Sequence, residues 1–343
     1  MKRLLGMVLL VVASAGLLTG VTVTERGMAY FSSEVVFYPF GEGVLATMPN
    51  GRIYHLWIFD KDLEELRNFD LRRGEGPGDV KIIKGIVADG ERVYVWDDGP
   101  RRISIFTRDW KFVEFKPVPS LTRALLLEKV DHGFVFKWGD FSAHKGKKLM
   151  RDCVGVWDGA QKRRVVDLKG PWVVKGKYND TRDHLVSCFF DRRFYTTPNT
   201  DYNISVYKAD GAKFVKTGSF GREIKTSAWN RQCETLIREL LPQTFEAEFP
   251  DNVPPVFDIL ANDTYVAVLT NEALPQRETS IDFWQKGQYK GTVKIPIIYG
   301  QRFIFPSPIH LPGGVYLRGD ILWSLHYVEK EDAFYIVKRT IQF

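Results

Sequence analysis

A short strand that ends on an aromatic residue recurs six times along this chain, and no other feature of the sequence constrains the fold as tightly. The copies are His55-Leu-Trp-Ile-Phe59, Arg102-Ile-Ser-Ile-Phe106, Cys153-Val-Gly-Val-Trp157, Asn203-Ile-Ser-Val-Tyr207, Ser280-Ile-Asp-Phe-Trp284 and Trp323-Ser-Leu-His-Tyr327. Their aromatics stand 47, 51, 50, 77 and 43 residues apart, and the long interval returns to about 47 once the stretch 221–252 is set aside. A period of this length marks units that cannot bury an apolar face alone. Upstream of each aromatic a polar or glycine turn precedes an apolar strand: Pro49-Asn-Gly-Arg-Ile53, Asp89-Gly-Glu-Arg-Val93, Asp131-His-Gly-Phe134, Asp191-Arg-Arg-Phe194, Asn262-Asp-Thr-Tyr265 and Pro312-Gly-Gly-Val315. Asn, Asp and Gly accept the positive φ of tight hairpins, so each turn joins two antiparallel strands. Four strands in 40 to 50 residues make a propeller blade, and the pattern predicts an all-β, six-bladed β-propeller over residues 30–343.

The shared aromatic is read as a wedge between neighbouring blades, where a large ring buries about 150–250 Å2. Val35–Phe40 is expected to complete the last blade beside Ala333–Phe343, which leaves no open sheet edge. The stretch 221–252 breaks the pattern. Thr226 or Ser227 caps an expected helix that Pro242 ends, with Trp229, Cys233, Leu236, Ile237 and Leu240 on one side. This is read as a helical insertion between blades four and five, packed over the disc.

The first residues read as an export signal: Lys2 and Arg3, the apolar run from Leu4 to Val12, and a small-residue cleavage site at Ala13-Ser14-Ala15. The alternative is a retained anchor, because no charge occurs from Leu4 until Glu25, long enough to cross a core of roughly 30 Å. Residues 1–20 are therefore a signal peptide or an N-terminal anchor. The expected location is periplasmic or extracellular, with membrane contact only through an uncleaved segment.

The formal charge is +6, or +4 without Lys2 and Arg3. Between His144 and Lys169 eight Lys or Arg face three Asp, which makes Lys145, Lys147, Lys148, Arg163 and Arg164 a candidate polyanion patch. Solvated hairpin loops are the plainer reading. No nucleic-acid recognition motif is present, and nucleic acid is not an expected partner. Cys153, Cys188 and Cys233 lack zinc-site spacing; they read as buried small apolar residues, or as one bridge and one thiol.

The segment Leu71-Arg-Arg-Gly-Glu-Gly-Pro-Gly-Asp79, followed by Gly85-Ile-Val-Ala-Asp-Gly-Glu-Arg-Val-Tyr-Val-Trp-Asp97 and Arg102-Ile-Ser-Ile-Phe106, resembles bacterial exported six-bladed propellers related to NHL-repeat proteins. Members carry a G-x-GPGE-like loop between the first and second blades. Here Asp79 stands where Glu is usual, and blades three to six lack the Asp of the following strand pair. The resemblance implies fold and export, and it implies no particular activity. Gly74, Gly76 and Gly78 are expected to supply φ values closed to other residues in a structural crossover between blades. Asp97, Asp98, Arg101 and Arg102 read as a polar cluster that locks a hairpin.

No H-E-x-x-H or H-x-H pair and no G-x-S-x-G elbow occurs, so no catalytic residue is assigned and no cofactor is expected. Propeller ligands converge from different blades on the central channel. Inner strands are expected at Lys84–Ala88, Ala124–Lys129, His184–Phe190, Phe257–Ala261 and Pro308–Leu311. Lys84, His184, Asp258 and His310 are the candidate channel-binding residues. The two histidines and Asp258 also suit a divalent metal, and the resemblance extends to propeller lyases that use channel histidines and a metal. The expected function is that of an exported, monomeric, non-enzymatic binding or scaffold propeller of the cell envelope, with an envelope protein, glycan or other polyanion as partner. The alternatives are a channel-site lyase or hydrolase, and a binder of anionic polymers through the blade-three loops.

Overall fold

A computed structural model describes residues 22–31, 35–118, 121, 124–140, 151–160, 162–169, 173–174, 177–178, 185–198, 200–210, 213–225, 254–273, 278–296 and 314–343. The expected helix of the insertion and the N-terminal apolar segment lie outside these residues. Strand β1 (Thr22–Phe31) precedes the first blade, which consists of β2 (Val36–Phe40), β3 (Gly43–Asn50), β4 (Ile53–Phe59) and β5 (Glu65–Arg72). Blade two holds β6 (Ile83–Ala88), β7 (Arg92–Asp97), β8 (Arg102–Thr107) and β9 (Phe112–Pro117). Blade three holds β10 (Ala124–Val130), β11 (Gly133–Asp140), β12 (Arg151–Trp157) and β13 (Lys162–Lys169), and a two-stranded ribbon, β14 (Val173–Val174) and β15 (Lys177–Tyr178), follows it. Blade four holds β16 (Leu185–Phe190), β17 (Arg193–Pro198), β18 (Asn203–Asp210) and β19 (Lys213–Gly221). Blade five holds β20 (Val256–Ala261), β21 (Val266–Thr270), β22 (Glu278–Gln285) and β23 (Gln288–Pro296). Blade six is β24 (Val315–Arg318), β25 (Ile321–Val328), β26 (Ala333–Gln342) and, as its outermost strand, β1.

These six antiparallel sheets form the expected ring. Among the described residues the core forms six apolar clusters, and each is shared by two consecutive blades, the last joining blade six to blade one. Phe59, Phe106, Trp157, Tyr207 and Trp284 lie on the third strands of blades one to five, and each enters the cluster shared with the preceding blade. Five of the six aromatic wedges are therefore where the repeat placed them.

Blade six departs from the expectation in three respects. Tyr327 lies on β25, the second strand, and register pairs Arg339 of β26 with Leu322 where the other blades pair their aromatic. Arg339 is buried and donates to Ser324 Oγ and, at 3.1 Å, to His326 Nε2. The turn between its first two strands is at Gly319–Asp320, after Val315–Arg318, so Pro312–Val315 is not the equivalent turn. The inner strand is likewise Val315–Arg318 and not Pro308–Leu311. Finally, the closing strand is Thr22–Phe31, paired with β26 from Thr22↔Gln342 to Phe31↔Phe334. Val36–Phe40 instead begins blade one, because its Pro39↔Val44 and Phe40↔Gly43 pairing makes a tight hairpin with β3. In blade one too the turn at Pro49–Arg52 joins the second and third strands, not the first two.

The glycine-rich loop is the crossover between blades one and two. The Arg102 guanidinium holds it, donating to the carbonyls of Glu75 (2.9 Å), Gly76 (3.2 Å) and Asp79 (2.9 Å) while its Nε faces Asp97 Oδ2 at 3.6 Å. Asp97 is fully buried and accepts from the backbone N–H of Lys81 and Ile82. So Arg102 clamps the crossover and does more than lock a hairpin. Among the three loop glycines only Gly78 has a positive φ, at 80°. At Gly74 an added Cβ would stand 2.5 Å from Asp79 Oδ2, so the Asp79 side chain would have to shift. Gly85 serves a similar end at the axis: a Cβ would come within 2.6 Å of the Leu126 carbonyl oxygen on blade three.

Two outcomes follow from this packing. Trp157→Ala and Phe106→Ala should each lower unfolding free energy by about 3–5 kcal/mol in urea titrations. Arg102→Ala should cost a similar amount, about 3–5 kcal/mol, because it leaves Asp97 buried without its counter-charge. A loss near zero would show the clamp to be incidental.

Candidate functional site

The inner strands β2, β6, β10, β16, β20 and β24 surround the axis, and the side chains they carry toward it define the candidate site. Lys84 lies on β6 and Asp258 on β20, both on inner strands as expected. His184 and His310 lie outside the described residues, as do Lys145, Lys147 and Lys148. Arg163 and Arg164 are on β13, the outermost strand of blade three, at the rim of the disc and not at its axis. Among the described residues no three His, Cys, Asp or Glu side chains are grouped to hold a metal ion.

Lys84 and Asp258 serve different surroundings. Lys84 acts on Asp98, whose carboxyl is raised by burial and drawn back by the Ala124 backbone and then by the Lys84 charge. Asp258 belongs to a second group with Cys188 of blade four and Lys137 of blade three. Burial pushes the Asp258 carboxyl up to about 6, against the opposing pull of the Ile259 N–H and of Lys137. The Cys188 thiol is pushed up to about 12, first by burial and then by the charge of Asp258, with Glu128 of blade three adding to it. A thiol held protonated in this way is no nucleophile at neutral pH. Glu128 is itself raised by burial. Tyr316 of blade six is raised to about 12, chiefly by burial, and it too feels Glu128 and Cys188. Groups from blades three, four, five and six thus act on one another across the axis.

The hydrogen bonding of the two carboxylates is sparse. Glu128 Oε1 accepts from its neighbour Lys129 N at 2.9 Å, and Asp258 Oδ1 from Ile259 N at 2.8 Å. Neither makes an ion pair among the described residues, and Lys137 Nζ donates to the Leu185 carbonyl at 2.5 Å. Asp282, at the seam of blades four and five, shows what a structural carboxylate looks like in this protein. It is fully buried and accepts from the Tyr202 hydroxyl (2.7 Å), from Arg222 Nε (2.7 Å) and Nη2 (3.1 Å), and from Thr292. Buried charge is stable only when so satisfied. Glu128 and Asp258 each accept one backbone hydrogen bond among the described residues, and Asp258 also feels the Lys137 charge.

Sequence reading did not single out Glu128, Lys137 or Tyr316, and it read Cys188 as a buried small residue or a bridge member and not as a channel group. Glu128 and Cys188 lie on inner strands that had been located, and the signal available was a polar residue within an apolar strand. Lys137 sits on a second strand, where an ammonium is unexpected. Tyr316 was out of reach once the inner strand of blade six had been placed too early.

The raised carboxyl of Asp258 has a pH signature. Its folded pKa lies above the ordinary carboxylate value, so its contribution is most favourable at low pH and is lost as pH rises through about 6. Asp258→Asn should therefore leave stability unchanged near about pH 4 and raise it by about 2–3 kcal/mol above about pH 7. Urea midpoints of both proteins across that range would show it, and an Asn variant less stable at high pH would contradict the assignment.

No protein-family model matches the sequence, and no curated protein matches it either. Among solved structures, the chain is similar to a member of the DUF4221 family from Bacteroides vulgatus, with a TM-score of 0.58 and 12% identity over 97% of this chain and 98% of that one. It is similar also to a Bacteroides fragilis protein predicted to be exported, with a TM-score of 0.51 and 12% identity over 94% of this chain and 95% of that one. At this identity the likeness is one of fold, and it spans nearly the whole of all three chains.

Proposed function

We propose that the protein is an exported propeller that binds a small ligand at its central channel and carries out no turnover. The observation that supports this best is that Glu128 of blade three and Asp258 of blade five, carboxylates on inner strands, are both raised by burial and each accept one backbone hydrogen bond among the described residues. A group kept where it costs stability is the usual mark of a functional position. Export is supported by Lys2-Arg3, the apolar run and Ala13-Ser14-Ala15, and agrees with the description of the Bacteroides fragilis protein of like fold. The reading of no turnover is supported by the sequence, which carries no H-E-x-x-H or H-x-H pair and no G-x-S-x-G elbow, and by burial that holds the Cys188 thiol protonated.

Native mass spectrometry of the protein recovered from its own cell envelope tests both parts. The chain should begin at or soon after Gly16 and should carry a small molecule that the Glu128→Gln, Asp258→Asn double variant lacks. The bound molecule should leave unchanged on prolonged incubation. Release of an altered product would overturn the non-enzymatic reading, and equal retention by the double variant would remove the channel as its site.

A further inference from the structure

The seam between blades five and six encloses a histidine beside an arginine. Leu322 and Ile341 face blade five across this seam, and by strand alternation Ser324 and His326 of β25 and Arg339 of β26 face the same way. All three polar residues are buried. Their hydrogen bonds define the state of the ring. Arg339 Nη1 lies 3.1 Å from His326 Nε2, and a guanidinium only donates, so Nε2 is the acceptor. Ser324 Oγ accepts from Arg339 and, at 2.7 Å, gives its own proton to the same nitrogen. The imidazole is therefore neutral, with its proton on Nδ1. A proton added at Nε2 takes the acceptor away from both neighbours and sets two cations side by side out of water.

The other groups on this side of the sheet are few. Tyr335, opposite His326 in register, gives its hydroxyl to Glu331. Blade five brings Asn271, just past β21, and Thr279 of β22, both buried and uncharged, on the parity of Leu269 and Ile281. Asp258, on the inner strand of that blade, acts on Lys137 and Cys188. Glu25 of β1 stands opposite Arg339 in the pairing of β1 with β26, and the register shifts directly beyond it, between Glu25 and Met28. Arg339 thus links the histidine to the strand that closes the ring, at the point where their ladder is interrupted.

We infer that His326 is a pH-sensitive catch for the N-terminal strand. Protonation of its ring drives Arg339 out of the Ser324–His326 arrangement, and β1 detaches from β26 while the seams of the other blades hold. The closed form requires the neutral ring, so this contribution is complete above the free histidine value of about 6.5 and is lost as pH falls below it. One proton taken up per opening makes opening about tenfold more favourable at about pH 5.5 than at about pH 7.5.

Hydrogen exchange of the full chain, read as protection factors so that the pH dependence of intrinsic exchange cancels, tests this. Over that range the amides of Thr22–Phe31 should lose about tenfold in protection, while β7 and β8 of blade two keep theirs. His326→Gln, neutral throughout, should abolish the loss, and Asp258→Asn should preserve it. A second readout needs no variant: nitrogen-15 spectra of the wild type should show the His326 ring still neutral in the closed form at about pH 5.5. A charged ring beneath a protected β1 would overturn the catch. So would constant protection of β1, a loss that His326→Gln shares or that Asp258→Asn abolishes, or a loss spread equally over blade two.

Discussion

A blade of this protein is a sheet with two apolar faces and no means of covering either by itself, so the molecule depends on the seams between blades. Each apolar cluster among the described residues bridges two consecutive sheets, and the ring closes where blade six packs on blade one. The third-strand aromatics carry much of that burial. At about 25 cal/mol per Å2, a ring covering about 150–250 Å2 contributes about 4–6 kcal/mol as an upper figure. Seam thickness also sets how closely the inner strands approach, and so the width of the bore. Gly85 marks a point of closest approach, where only a hydrogen fits against the Leu126 carbonyl.

This dependence explains which parts of the fold could be read from the sequence. A wedge aromatic repeats because every seam needs one, so periodicity alone located Phe59, Phe106, Trp157, Tyr207 and Trp284. It failed at blade six because Arg339, with Ser324 and His326, occupies the equivalent place there, and Tyr327 offered a false match one strand earlier. Ile341 and Leu322 fill that seam instead, against Phe283 of blade five. Closure was assigned to the wrong strand for a related reason. Val36–Phe40 and Thr22–Phe31 are both suited to a sheet edge, and only the register with β26 separates them. The glycine loop was read correctly as a crossover, whereas its physical cause lay in the Arg102 guanidinium, brought to the loop carbonyls from the third strand of blade two.

The candidate site was legible to a smaller extent. Inner strands can be counted off a repeat, which is how Lys84 and Asp258 were placed. What distinguishes a functional carboxylate from a structural one is its partners, and those come from other blades. Asp258 and Asp282 lie in one sheet, on its first and third strands, and nothing local in the sequence tells that one is saturated with donors and the other accepts a single hydrogen bond among the described residues. The seam between blades four and five supplies Asp282 with its donors from both blades, which no single stretch of sequence displays.

The pairing of β1 with β26 places the first described strand beside the last, so the ring is fastened by a clasp whose two halves are the opposite ends of the polypeptide. A chain delivered from its N-terminus must keep the first half of the clasp waiting, as an unpaired edge, until the last ten or so residues emerge. Such an edge is prone to pair with a stranger. The charge at Glu25 interrupts it, and a bulge between Glu25 and Met28 breaks its register. The same geometry makes the protein a natural circle with a single nick at the rim of blade six.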